Sequence, residues 1–524
     1  MNRKKLTGIR IACCLLAVAM TGMSLAGCGK KNPPETASGA SSGAAVSDAS
    51  DPGTPDETTT AGDESGEGTT AKGDSSQGGA GNKPTTTTKK NTTTTSAKGG
   101  AVSNDKIPDL SGYTFVIGSG FFNDVQDPQV AEMIDVIKKT FKCKVKINFF
   151  WPSLQNMQKK TASGDKVGDI VDMQADLMLQ SAMAGYIRPL NEVAGINVND
   201  ARWIQGATKL STLQNKTWGV SFWFPPGVRS CVFYNRDLLQ KNGVTQDMTK
   251  LVKSGGWTFD KFREYAKATT KDTNGDGVYD TFGFGFADPD YAALNFVEAN
   301  GGGLVKFQNG KAVESFSDSK TLYALDFYDK LINEDKVAKI SENLRKKDGG
   351  NSDVDMDALF VNGNLAFYVA ESWKAVQAIK PKADKLNYGI LPLPKGPGAS
   401  DYVSPAENYS PMFCVTSTNK DLDKSIPVLN YLGKYFAESY ENDSWKDDVA
   451  KDYFKSGDKD SLEMYTYILD RSMIDPGYTV ENLRTKFYSE IVRKSLYQRN
   501  GKPAQAVKEQ AGRYQKDIDA VFNK

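Results

Sequence analysis

The chain has 524 residues, with 65 Lys and Arg against 64 Asp and Glu, for a formal net charge of +1. That balance argues against a general nucleic-acid binder, which would carry a basic excess. Histidine is absent, which removes His-based triads, imidazole acid–base catalysis and His-ligated zinc sites.

Arg3, Lys4 and Lys5 precede an apolar run from Ile11 to Met20, and Leu25-Ala26-Gly27-Cys28 follows. A basic start, a short apolar middle and small residues before a cleavage point describe an export signal. The tetrapeptide resembles the bacterial lipobox, in which the cysteine is lipidated and becomes the first mature residue. An ordinary cleaved signal or an uncleaved anchor helix is the alternative, but the run is short for a membrane span. Residues 1–27 are therefore expected to be a lipoprotein signal peptide, with Cys28 lipidated. The stretch 28–106 is rich in Gly, Ser, Thr, Asp and Lys and almost free of aliphatic residues. It cannot bury enough surface to offset the entropy of ordering, and reads as a flexible tether. The expected location is the outer face of the cell membrane, lipid-anchored, of Gram-positive type.

Structure is expected from about Ile107 to the C-terminus. Tyr113 to Gly118 reads as a short apolar strand, Met133, Ile134, Ile137 and Phe141 recur at helical spacing, and Lys144 to Phe149 alternates as a strand does. A polar helix from Ser153 to Ser163, a strand Asp169 to Met173 and a helix Met178 to Gly185 complete the unit. Alternating strands and helices imply a parallel sheet covered on both faces. Ligands bind such sheets at the carboxyl ends of strands, here Ser119 to Asp124, Trp151, and Gln174 to Asp176. Further on, Cys231 to Asn235 reads as a strand, Phe259 to Thr269 as a helix capped by Thr258, and Leu365 to Val369 and Tyr388 to Pro394 as strands. From Ser425 the pattern is mainly helical. Outside the export segment only Cys143, Cys231 and Cys414 occur, each in an apolar context. Buried free thiols are the expectation, and one disulfide with a thiol left over stays open.

Asp272-Thr273-Asn274-Gly275-Asp276-Gly277-Val278-Tyr279-Asp280 places side-chain oxygens at loop positions one, three, five and nine and glycine at six. This is the spacing of a calcium-binding loop, with the Val278 carbonyl at position seven. Gly283 stands where such loops supply a bidentate Glu, so a completing ligand must come from elsewhere. The expected ligands are Asp272, Asn274, Asp276, Val278 and Asp280, holding a structural Ca²⁺. The alternative is a turn rich in Asx hydrogen bonds.

Aromatic residues stand beside loop formers at Phe121-Phe122-Asn123-Asp124, Phe149-Phe150-Trp151, Phe222-Trp223-Phe224-Pro225 and Ser372-Trp373. Aromatic faces for sugar rings, mixed with Asp and Asn for hydroxyls, suit a concave small-molecule site. Core packing is the alternative for any one of them.

Four stretches, in order, carry a family resemblance: Tyr234 to Leu239; Trp257 to Asp260 through Asp280 to Gly283; Phe360 to Phe367 with Trp373; and Tyr388 to Pro394. Together they resemble the extracellular solute-binding proteins of sugar ABC importers, the family that includes maltose-binding protein. The resemblance implies an α/β fold of the periplasmic-binding-protein-like type II, two lobes joined by hinge crossovers around a ligand cleft. It implies lobe one at 107–227 and 352–396, and lobe two at 228–351 and 397–524, the last helices packing back on lobe one. It places Asn123, Asp124, Asp176, Asp290, Tyr291 and the stacking Trp373 at the cleft, with Arg229 by the first hinge and Glu407 to Tyr409 at the third crossover. Trp151, Gln174 and Trp223 join them from the strand ends. The implied function is a monomeric, lipid-anchored binding protein that takes a carbohydrate, an oligosaccharide by preference, to an ABC permease without chemistry. Arg229 departs from the acidic or polar contact usual there and favours an acidic sugar. An extracellular glycoside hydrolase using paired carboxylates, or a binding protein for peptides or signalling, are the competing readings.

Overall fold

The structure is a computed structural model and describes residues 106–120, 128–150, 153–347, 352–382, 385–406, 409, 411–440 and 443–523. The export segment, Cys28 and the tether lie outside the described residues, as do Asn123, Asp124, Trp151 and Glu407. No helix among the described residues is long and apolar enough to cross a membrane.

The first lobe is built as its pattern predicts. Strand β1 (Thr114–Ser119) is followed by helix α1 (Pro128–Phe141), strand β2 (Lys144–Phe149), helix α2 (Leu154–Ala162), strand β3 (Ile170–Met173) and helix α3 (Ala175–Met183). Met133, Ile134, Ile137 and Phe141 of α1 lie on one face and are buried. Ser153 caps α2, its hydroxyl accepting from the Asn156 amide at 3.1 Å. β3 lies between neighbours on both sides, and all four of its residues are buried. β1, β2 and β3 run parallel, and the sheet order places β1 between β2 and β3.

The second lobe contains helix α4 (Phe259–Thr269) and a sheet of β4 (Cys231–Asn235), β5 (Phe282–Phe286), β6 (Leu365–Ala370) and β7 (Tyr388–Leu391), in the order β7-β4-β6-β5. β4 runs against both β6 and β7, while β5 and β6 are parallel. Thr258 caps α4 as expected, its hydroxyl accepting from the Lys261 amide at 3.4 Å. Trp257, Phe262, Phe284, Phe296 and Phe367 interlock in the core beneath this sheet.

The expected lobe boundaries need correction. β6 and β7, from the stretch 352–396, belong to the second sheet because they flank and hydrogen-bond β4. Strand β8 (Met412–Cys414), expected in lobe two, pairs antiparallel with β3 as an edge of the first sheet. Helix α5 (Pro289–Ala299) belongs to the second core, whereas helix α6 (Leu422–Ser439) buries Ile426, Leu429 and Leu432 in the first. The last helix buries Val507, Tyr514 and Ile518 in the second core and packs on lobe one at its tip, where Phe522 meets both. The chain thus crosses between lobes near 220–231, 391–412 and 439–445. Cys143, Cys231 and Cys414 are free and buried, as their apolar surroundings imply.

Candidate ligand cleft and its relatives

The carboxyl ends of β3, β5 and β6 bring the candidate residues to the seam between the lobes. After β5, Asp288 caps α5: its carboxylate accepts from the amides of Asp290 at 2.9 Å and Tyr291 at 2.8 Å. This fixes the chain direction, and with it the two residues expected at the cleft. Burial holds the Asp288 carboxyl above its ordinary range, more than the two amides lower it.

Asp290 and Tyr291 have different surroundings. Asp290 faces inward, and Arg493 grips it through Nε at 2.9 and 2.8 Å and Nη2 at 2.7 Å. Burial raises its pKa to about 6 even so. Arg493 sits on a wide-turn π-helix, Phe487–Tyr497. One turn on, the Tyr497 hydroxyl donates to the Pro289 carbonyl at 2.6 Å and meets Tyr328 at 3.0 Å. Asp290 is therefore an anchor for the start of α5, and its oxygens are engaged within the lobe. Tyr291 presents its ring to Tyr478, edge to face at 6.0 Å.

Tyr478 leads across the seam. The Arg484 guanidinium lies 4.6 Å from the Tyr478 ring centre, and its Nη1 is 3.5 Å from Asp176 Oδ2. Asp176 belongs to the first turn of α3, in the other lobe. Its Oδ1 is buried and takes no hydrogen-bond partner among the described residues. Burial raises its pKa, with Arg484 opposing. Arg484 moves up as well, since its desolvation is outweighed by Tyr478 and Asp176. A buried carboxylate oxygen with an open lone pair, beside an arginine and two aromatic rings, is equipped to accept a ligand hydroxyl. Gln174 stands at the N-terminal boundary of α3 without a side-chain capping bond, and the Ala175 amide donates to the Tyr409 carbonyl at 2.9 Å.

Arg229 and Tyr409 also meet, with the guanidinium carbon 5.6 Å from the ring centre. Tyr409 is 2% exposed, so it supports Arg229 from beneath, and burial pushes its hydroxyl up to about 12. Trp373 follows β6; its indole N–H donates to Glu371, and the Lys374 ammonium lies 4.7 Å from the ring centre. Trp223 is not brought into this group. Its ring leans on Phe413 and Phe436 at 6.4 Å each, in the first core, because the crossover segment beside it must seal that core.

Sequence reading missed Arg484, Tyr478, Glu371 and Arg493. Glu371 had a signal, standing at the end of an apolar strand beside Trp373. The others lie in the helical C-terminal stretch and reach the cleft only through tertiary packing.

The expected calcium loop closes on itself. Asp272 accepts from the Gly275 and Gly277 amides at 2.7 and 2.8 Å, Asn274 from Asp276 at 2.9 Å, and Asp276 from Val278 at 2.8 Å. Asp280 accepts from the Thr273 amide at 2.6 Å. Gly277 has φ of 86°, which explains glycine at the sharp turn. The oxygen donors are of the type hard Ca²⁺ takes, but among the described residues no three acidic side chains converge on one point.

No curated protein sequence matches the chain. Solved structures do. The sugar-binding protein MalE of Xanthomonas citri is similar with a TM-score of 0.58 at 17% identity, over 78% of this chain and 98% of that one. The GacH receptor of Streptomyces glaucescens, solved unliganded and with acarbose, gives 0.53 at 18%, over 78% and 98%. UgpB of Mycobacterium tuberculosis, in complex with glycerophosphocholine, gives 0.54 at 16%, over 78% and 98%. These likenesses establish the type II two-lobed fold. The family model for bacterial extracellular solute-binding proteins matches residues 126–432, more than half of the sequence, and the chain belongs to that family.

Proposed function

We propose that this protein captures a neutral carbohydrate between its two lobes and presents it, unaltered, to an ABC permease, while lipid on Cys28 holds it to the outer face of the membrane. The observation that supports the ligand class is the group Asp176, Arg484, Tyr478 and Tyr291, which joins charged hydrogen-bonding groups to aromatic faces across the seam. Arg484 and Arg493 face carboxylates, and Asp176, Asp288, Asp290 and Glu371 stand against three arginines with Arg229. This balance gives an anion no net attraction, which favours a hydroxylated neutral ligand over an acidic sugar or a phosphodiester. The relatives with MalE and acarbose-binding character agree with that choice.

A thermal-shift screen of neutral oligosaccharides, uronates, glycerophosphodiesters and peptides tests it. Neutral sugars should raise the melting temperature at saturation, and a reducing-end assay on the same mixtures should stay flat. Stabilisation by another class alone, or turnover, refutes the proposal. We extend it to the 272–280 loop, which would take Ca²⁺ as a structural ion by turning its carboxylates from their own amides to the metal. Titration with Ca²⁺ should then raise the melting temperature of wild type and leave Asp272→Ala unmoved; an unresponsive wild type ends this reading.

A further inference from the structure

The amino ends of β1, β2 and β3 form a pole of the first lobe opposite Asp176, which follows the carboxyl end of β3. Helices α1 and α2 end at this pole, with Lys138 and Lys139 in the last turn of one and Lys159 and Lys160 in the last turn of the other. Lys142 and Lys144 stand at the entry to β2. The approach to β3 brings Lys166, whose ammonium lies 5.2 Å from the Tyr113 ring centre, and Lys424 lies 5.0 Å from the same ring. β8 runs antiparallel to β3, so Lys420, between β8 and α6, emerges at this pole as well. The described chain also enters the fold here, at Lys106: the Leu110 amide donates to the Phe141 carbonyl at 2.9 Å, and Asp109 pairs with Lys142 at 2.8 Å. The stretch that runs back to Cys28 therefore joins the fold at the pole that carries these lysines.

The aspartates beside these lysines are already matched. Asp135 pairs with Lys139 at 3.0 Å, Asp165 with Lys160 at 3.5 Å, Asp169 with Lys166 at 2.6 Å and Asp421 with Lys424 at 2.5 Å. Lys106, Lys138, Lys144, Lys159 and Lys420 are exposed and form no ion pair among the described residues. A helix C-terminus favours a nearby cation, which accounts for Lys138 and Lys159 but not for Lys106, Lys144 and Lys420. A chain of net charge +1 thus sets a positive surplus at one end of one lobe. We propose that this pole is a docking surface for anionic lipid headgroups, so that lobe one leans on the bilayer with its Asp176 end turned away. The inference goes beyond ligand capture and rests on the lipid anchor only for which membrane is met. Each lysine beside an anionic surface strengthens partitioning by about fivefold, and only within a screening length of about 8 Å at physiological salt. The contact is therefore weak and reversible, and an anchor on the same chain makes it effective by raising the local concentration.

The test is co-sedimentation of the chain from residue 28 onward, carrying Cys28→Ser so that no lipid is attached, with vesicles of mixed phosphatidylglycerol and phosphatidylcholine or of phosphatidylcholine alone. Binding should need the anionic lipid and should be released at about 1 M salt, where screening shortens to about 3 Å. Lys138→Gln, Lys144→Gln and Lys420→Gln together should weaken it by on the order of a hundredfold. The same change of charge at Lys241, Lys459 and Lys508, exposed on the second lobe, should alter it by less than about twofold. Thermal unfolding of both triple variants checks their fold. Equal losses in the two triple variants, equal binding to neutral vesicles, or binding to soluble polyphosphate without binding to vesicles overturns the surface. Mass spectrometry of the exported chain reads the lipid on Cys28 separately; its absence overturns the anchor and leaves the vesicle result standing.

Discussion

Arg493→Met is the sharpest perturbation available at the cleft. Arg493 has a side chain 25% exposed and Asp290 one 12% exposed. Arg493 moves up because it is paired, yet Asp290 also moves up because burial outweighs the pairing. The two directions together mean that the arginine only partly offsets the lost hydration of the carboxylate. Removing it leaves a buried charge facing Asp288, with Tyr328 and Tyr497 behind. Breaking a buried pair in this way costs ~3–5 kcal/mol, and the water still reaching Arg493 sets the expectation near the lower end, about 3 kcal/mol. Urea unfolding followed by tryptophan fluorescence measures it. Asp290→Asn combined with Arg493→Met should recover more than half of the loss, because no charge is then stranded. The pH dependence has a definite sign. A carboxyl at about 6 in the fold, against 3.8 unfolded, binds its proton more tightly when native. Its stabilising contribution is complete below the unfolded value and is lost as pH rises through about 6. Without Arg493 that pKa climbs further, so the single variant should regain stability on acidification from neutral pH. A loss below about 1 kcal/mol, with no recovery in acid, would refute the anchoring role.

Asp176→Asn keeps the shape of the side chain and removes its charge; affinity for the sugar should fall by about tenfold or more, read by calorimetry, while the unfolding midpoint holds or rises because a buried carboxylate is gone. Equal affinity would remove Asp176 from the ligand site. Gly433→Ala tests the packing of α6, since a Cβ there would run into the buried Trp203 ring; the cost should be about 2 kcal/mol in urea unfolding, and a neutral result would mean that Trp203 moves freely.

What the sequence disclosed, and what it hid, divides along a physical line. Ser153 and Thr258 were legible as caps because capping is local, and β1 to β3 were legible because apolar periodicity and alternation are local. The lobe assignment of 352–396 failed for the opposite reason. The burial of all six residues of β6 says that the strand is central, but a continuous apolar run does not name its sheet. Only its partners, Tyr234 opposite Phe367 and Phe284 on the other side, decide that. The cleft divides likewise. Asp176 follows a strand and was named by that rule, while Asp290, Tyr291 and Trp373 were named through the family resemblance. Arg484 reaches Asp176 from a helix far along the chain, and no spacing encodes that meeting.

Phe224 shows how such long-range placement can set the hinge. It lies in the first crossing, and its ring packs against all three apolar clusters of the molecule. It stacks on Tyr440, in the third crossing, at 5.0 Å. Nearby, Tyr465 of the second lobe donates to the Pro226 carbonyl at 2.8 Å. The first and third crossings are thus bound to one another at the joint between the lobes. Across the seam itself, the Asp176–Arg484 pair is long at 3.5 Å and half-satisfied. The apolar contacts that Phe522 makes with both cores carry no hydrogen-bonding demand of their own, so the polar part of the seam rests on this weak pair. A ligand that supplies hydrogen-bonding groups to both sides of this pair would bind the shut form better than the open one and shift the balance toward it, which is the condition for capture followed by release.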